Sequence, residues 1–344
     1  MQELVFRFTQ KWWAVNYGLN FSQRYYTDPI WRVACHQEMQ DILLRELPDV
    51  PSRCFVLLPA GVGVGLQPVN ILMGVCGSTI SYPENQDPWA QGPILHTEEE
   101  IDAFEPPDLE GSAFLADMVG QFDRLAQEYP PAEIEAYGQG NNVTLHSSLV
   151  CAHKLAGEEV FVLMHKRPDL MRTFLTKLTA LNEALIDFWA CKRGARIDDI
   201  TIGDCSATLL SPGLYRQFSL PCNGHTIQRY NVPYGIHSCG PSTHVLDSLV
   251  GTPGAAWCEV GWYAQSGHTD LAKARQILIE RGCPKIRVLL NPGDVIQWDE
   301  REMRDIVGRI VETVQPLDLV VRSILGVGVT LKKVRALYDA VERG

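Results

Sequence analysis

From residue 198 onward the apolar and polar positions of the chain switch regularly between two periods. Short runs at 198–202, 232–238, 255–260, 286–290 and 318–323 are rich in β-branched and apolar residues and predict strands. Between them, 211–230, 242–249, 270–281, 299–314 and 330–341 carry apolar residues every three or four positions and predict amphipathic helices. Strand and helix recurring at intervals of about 30 residues is the pattern of right-handed βαβ units around a parallel sheet. The front half is less regular. The runs 54–58, 71–75 and 133–137 predict further strands, 112–128 predicts a helix, and 144–193 reads as helical, with Pro168 at a start and Gly194 as a stop. The first fifty residues read as helical and partly amphipathic: Phe6, Trp12, Trp13 and Tyr17, then Trp31, Cys35, Met39 and Leu43 at four-residue steps. Asp28 before Pro29 starts the second of these, because Asp caps a helix and Pro suits its first turn.

The count comes to about eight strands, so the expected fold is α/β. It is a closed (β/α)8 TIM barrel over residues 51–344 with an N-terminal helical extension, residues 1–50, packed on it. A doubly wound open sheet is the alternative. Two loops stand out. Gly61, Gly63 and Gly65 are spaced wrongly for a dinucleotide fingerprint, whereas 81–93, holding Pro83, Pro88 and Trp89, has the length of a lid.

Composition narrows the function. With 41 acidic against 30 basic residues the net charge is -11, and no stretch concentrates Lys and Arg, which argues against a nucleic-acid partner. No apolar run approaches the roughly 18 residues of a membrane span. The first residues lack the basic-then-apolar layout of a secretory signal, so a cytoplasmic location is expected. Ten cysteines without paired spacing, in a chain too large to need disulfide staples, fit reduced thiols.

The candidate chemistry gathers at predicted strand ends. His237 and Cys239 are two residues apart at the end of 232–238, so their side chains share a face and can grip one ion. Gly240 then lets the chain turn sharply. A His-x-Cys pair also arises by chance, and a buried Cys is usually a small core residue; the position at the functional edge of a parallel α/β fold favours the metal. Cys258 and Glu259 fall on the next strand. They alternate in direction, so one of them can complete the metal site, Glu259 by preference and Cys258 second. Asp204 and Cys205 follow 198–202, and Asn142 follows 133–137 where an amide can hold a polar substrate. Loop asparagines more often just form turns.

Taken as a set, residues 203–212 (opening Gly203, Asp204, Cys205), Leu220 with Pro221, 237–240, Leu290 to Pro292 and 324–328 resemble the uroporphyrinogen decarboxylase superfamily. Within it the chain is similar to the corrinoid-dependent methyltransferases, from about Asp28 onward. The resemblance implies a TIM barrel and a zinc ion held by His237 and Cys239. That branch has a later cysteine in the closing glycine-rich turn, and here the position reads Val327, so a third ligand has to come from elsewhere. The related cobalamin-independent methionine synthases place a glutamate on the strand after the His-x-Cys pair, which falls on Glu259. The implied activity is zinc-dependent transfer of a methyl group from a small methylated donor, such as a methoxylated aromatic (O-demethylation) or a methylamine, to the cobalamin of a partner corrinoid protein. Asp204 would orient the substrate or act as general acid, and Asn142 would bind it. The alternatives are a methylcobalamin:thiol methyltransferase and a metal-free decarboxylase. The decarboxylases carry an arginine-rich N-terminal signature for propionate groups, whereas residues 1–30 hold Arg7 and Arg24 alone. The partners expected are the corrinoid protein, the methylated substrate and, as one oligomeric option, a second copy of the chain in a homodimer, with no nucleic acid and no membrane.

Overall fold

Seven parallel strands carry the molecule: β1 (Gln2–Phe8), β4 (Asn142–His146), β5 (Asp199–Gly203), β6 (Tyr234–Ser238), β7 (Ala255–Trp262), β8 (Lys285–Leu290) and β9 (Asp318–Leu325). They lie in the order β1-β9-β8-β7-β6-β5-β4, and a separate two-stranded antiparallel ribbon joins β2 (Ile80–Ser81) to β3 (Trp89–Ala90). The structure is a computed structural model, and the residues it describes are 2–55, 66–129, 142–194, 196–263 and 268–342.

The register sorts the sheet into two unlike faces. Leu145, Ile202, Ile236, Cys258, Ile286 and Leu319 are register partners from strand to strand and all are buried. They form the apolar face, covered by helices whose own buried residues complete the core. One residue further along each strand the partners are His146, Gly203, His237, Glu259, Arg287 and Val320. Successive residues of a strand point to opposite faces, so this row makes the inner face, and most of it is polar.

Several expectations hold. The strands and helices beyond residue 198 form as read, although the helix expected at 242–249 shortens to Leu246–Leu249. Asp28 accepts a hydrogen bond from the Trp31 backbone N–H and Pro29 opens the helix Pro29–Glu46. Beyond those expectations, Thr97 and Glu100 close a capping box on the helix Glu98–Asp102.

Other expectations need correction. The helical reading of the N-terminus fails at Gln2–Phe8, where Leu4, Phe6 and Phe8 alternate with less buried neighbours and the segment pairs with β9 along its whole length. The run 71–75 is part of a helix, Pro68–Val75, in which every residue from Val69 to Val75 is buried; such a run has no polar face to reveal its period. The helical reading of 144–193 fails at its start, because Asn142–His146 is a strand with Val143 and Leu145 inward to the core. The strand expected at 133–137 lies outside the described residues, as does 56–58 of the run expected at 54–58. Among the described residues no helix is long and apolar enough to cross a membrane.

Gly235 shows how tightly the inner face is filled. A Cβ there would overlap the Trp257 indole, and that ring already carries the Arg287 guanidinium 3.5 Å from its centroid. Gly235→Ala is therefore expected to destabilise the fold by about 1–3 kcal/mol through overpacking, read as a lower denaturant midpoint than that of the wild-type chain.

Candidate metal centre

At the C-terminal ends of β5 and β6, Cys205, His237 and Cys239 bring one ligand atom each within 4.8 Å of one another. The arrangement follows from the register. Gly203 and His237 are partners on the inner face, the Asp204 backbone N–H donates to the His237 carbonyl at 2.8 Å, and this pins the turn Cys205–Leu209 against the end of β6. On the other side, Cys239 reaches its place because Gly261 has no side chain: a Cβ on Gly261 would overlap the Cys239 carbonyl, to which the Tyr263 hydroxyl also donates. All three ligand residues are partly exposed, so the cluster opens to solvent on one side.

Behind the cluster runs a chain of alternating charge. His237 Nδ1 lies 2.5 Å from Glu259 Oε1, and Arg322 Nη1 lies 2.5 Å from Glu259 Oε2. Glu259 has no exposed surface. Burial pushes its carboxyl up, but the hydrogen bond from His237 and the charge of Arg322 outweigh this and hold it down at about 2. Burial likewise pushes the His237 imidazole down, and its contacts with Cys205 and Glu259 win, holding it up at about 10. The Cys239 and Cys205 sulfurs are 3.0 Å apart, within hydrogen-bond distance. That contact raises Cys205 and lowers Cys239 to about 7.

The donor set fits a divalent ion. Two thiolates and an imidazole suit zinc, and the carboxylate on the far imidazole nitrogen is the usual support for a metal-bound histidine. Binding would displace the proton on the His237 Nε2 side and the one in the contact between the sulfurs. A dication replacing two protons leaves the charge of the site unchanged.

Asp204 does a different job. It is fully buried and accepts hydrogen bonds from Ser147 Oγ at 2.7 Å, Tyr215 Oη at 2.8 Å, Asn223 Nδ2 at 2.9 Å and Ser219 Oγ at 3.0 Å. Ser147 caps the helix Ser148–Ala156, and the other three donors lie on the helix Pro212–Tyr230. Burial raises the Asp204 carboxyl against the opposing effect of those donors. The side chain joins two helices to the turn that carries Cys205, with both oxygens occupied.

A family model described as Uroporphyrinogen decarboxylase (URO-D) matches residues 69–343. The chain belongs to this family. Among solved structures, a methyltransferase from Methanosarcina mazei matches with a TM-score of 0.65 and 16% sequence identity, covering 99% of this chain and 94% of that one. Identity at that level speaks for a shared fold. A search of the curated proteins returned no match.

With the uroporphyrinogen decarboxylase family established, the expected site residues can be placed. His237 and Cys239 come together as the spacing requires. Glu259 lies on the expected strand and face, yet both its oxygens are engaged by His237 and Arg322, so it stands behind the imidazole and outside the three-residue cluster. Cys258 points the other way, into the apolar row, and burial pushes its thiol far up. Asn142 starts β4 and pairs with Asp199 at the start of β5, so it sits at the opposite edge of the sheet from His237. As the first residue of β4 it lies at the N-terminal end of that strand and not at a C-terminal tip. Val327 is 40% exposed just past β9. Cys205 is the ligand candidate that periodicity missed, because it lies beyond the strand end where alternation stops projecting. Its signal was adjacency to Asp204 at a strand tip. Arg322 and His146, on the inner face of β9 and β4, were also missed; burial, then the charges of His237 and Lys154, lower the His146 imidazole to about 4.

Removing the Asp204 carboxylate should leave four buried donors without their acceptor. Asp204→Ala is expected to lower the unfolding free energy by at least about 3 kcal/mol, measured by denaturant titration. A midpoint equal to that of the wild type would show that the two helices are not held to the site through this side chain.

Proposed function

We propose that the protein is a zinc-dependent methyltransferase, moving a methyl group between a small methylated compound and the cobalamin of a corrinoid partner. The observation that carries this reading is the open cluster of Cys205, His237 and Cys239 at the C-terminal edge of a parallel sheet. The methyltransferase with the similar fold supports it. Zinc bound there would supply a Lewis acid with a free coordination position, which activates a substrate heteroatom. The chain's own residues do the rest. Glu259 fixes the His237 ring with Nδ1 turned away from the ion, and Arg322 keeps that carboxylate charged where water does not reach it. Cys205 stands in for the later cysteine whose position reads Val327. We also propose that the seven strands belong to a closed eight-stranded barrel, supported by the parallel bridge that Phe6 makes with Phe55 on the outer side of β1.

The proposed direction is from a methylated oxygen or nitrogen compound to the reduced corrin; transfer from methylcobalamin to a thiol is the reverse use of the same centre. A metal-free decarboxylation reading gains nothing from the N-terminus, where Arg24 is tied to Asp28 on the surface and Arg7 faces Asp87.

Elemental analysis of gently purified protein is expected to give about one zinc per chain. Cys205→Ala, His237→Ala and Cys239→Ala should each lose the metal together with methyl transfer between 2-methoxyphenol and reduced cobalamin. Metal-free wild-type protein, or transfer that survives all three substitutions, would refute the proposal. Glu259→Gln should keep the metal at saturating zinc but weaken its affinity roughly 10–100-fold, as loss of a supporting carboxylate does. Competition with a chelator measures this, and loss as complete as in Cys205→Ala would instead make Glu259 a ligand.

A further inference from the structure

His146 stands two strands away from His237 on the same face and at the same level, with Gly203 between them. Neighbouring strands are roughly 4.8 Å apart, so the two imidazoles flank a slot about one strand wide whose floor has no side chain. The His146 ring leans over that floor. A Cβ on Gly203 would lie 3.3 Å from its Cδ2 and 3.5 Å from its Nε2, so the Cδ2–Nε2 edge is the one turned over Gly203. Its other nitrogen, Nδ1, is buried with no hydrogen-bond partner among the described residues. The backbone is held firmly, since the His146 carbonyl accepts from Asn182 Nδ2 at 3.0 Å and from the Cys151 thiol at 3.6 Å.

An unpaired buried polar atom costs roughly 1–3 kcal/mol and calls for a reason. Here the fold fixes a ring with one bare nitrogen and aims its other edge across a glycine toward the open side of the metal centre. Among the neighbouring polar groups Asp204 is fully bonded and Ser206 is tied to His153 Nδ1 at 3.1 Å. Ser238 Oγ, Ser323 Oγ and Arg287 Nε are buried without a partner among the described residues, so the case for His146 rests on where its ring stands, at the level of His237 and against Gly203.

We infer that His146 contacts the substrate: its Nε2–H donates a hydrogen bond to the heteroatom of a methylated oxygen, nitrogen or sulfur compound seated between His146 and the open side of Cys205, His237 and Cys239. This rests on the methyltransferase reading above. When the bond from carbon to the heteroatom breaks, its electron pair stays on the heteroatom and the methyl carbon passes to the electron pair of the partner's reduced cobalt. The imidazole N–H then faces the charge that builds on the heteroatom. Gly203 is a positioning element, since a side chain there would press on the His146 ring and move its Nε2.

The test uses the full chain with cobalt(II) in place of zinc and 2-mercaptoethanol as a probe that binds an open metal position through sulfur. Affinity is read from the thiolate absorption bands. His146→Phe keeps the ring shape without nitrogens and is expected to retain full metal content while weakening the probe about tenfold. His146→Gln, which restores a donor, should recover most of that loss, and Gly203→Ala should also weaken the probe without loss of metal. Unchanged probe affinity in His146→Phe would overturn the inference, and so would metal loss matching that of Cys205→Ala. A metal-replete wild type that fails to bind the probe overturns it too and leaves the metal centre standing, whereas a wild type that takes up no metal sinks the methyltransferase reading itself.

Discussion

A carboxylate sealed from water persists only while its charge is answered, and Glu259 is answered twice. Arg322 holds one oxygen and His237 the other. The arrangement of the candidate metal centre follows from this constraint. Because His237 must give Nδ1 to the carboxylate, Nε2 is the nitrogen left for chemistry, and it faces the two sulfurs. Because the carboxylate sits on the inner face of β7 beside β6, the register of those strands fixes where the imidazole stands. An unpaired ion at that depth would cost several kcal/mol, so the three side chains stand or fall together.

The two buried carboxylates of this site divide the work. Glu259 is paired with cations and kept ionised, and it acts on the electrostatics of the cluster. Asp204 meets neutral donors alone and is pushed toward its protonated form by burial. It acts on position, holding the turn that presents Cys205. A sequence reader sees two acidic residues near strand ends and has no means of telling these roles apart, since the difference lies in what the neighbouring helices deliver.

Much of the architecture was legible because strand and helix alternate in the second half with unambiguous periods, and the spacing of His237 and Cys239 gave their shared face. Parity put Glu259 on the inner face and Cys258 on the apolar one; it did not reveal that Arg322, two strands later in the chain, would claim the carboxylate. The errors have physical causes. Gln2–Phe8 alternates over too few residues to outweigh the aromatic helix that follows it, and Val69–Val75 is buried all round and so carries no period. Asn142 was assigned to a C-terminal tip, whereas it opens β4. Cys205 lies past the end of a regular element, where the path of the chain is set by Asp204 and its four donors, and no local pattern encodes that.

Below the Cys205, His237 and Cys239 cluster the described inner face is filled. Trp257 fills the space left by Gly235, one step toward the N-terminal ends of the strands, and Arg287 lies against its indole. Among the described residues these side chains fill the inner face on that side, which leaves the C-terminal ends of the strands as the approach to the Cys239 sulfur. For the proposed methyl transfer, two reactants sharing that approach could not pass each other, and the small molecule would have to be seated before a bulky macrocycle came down over it.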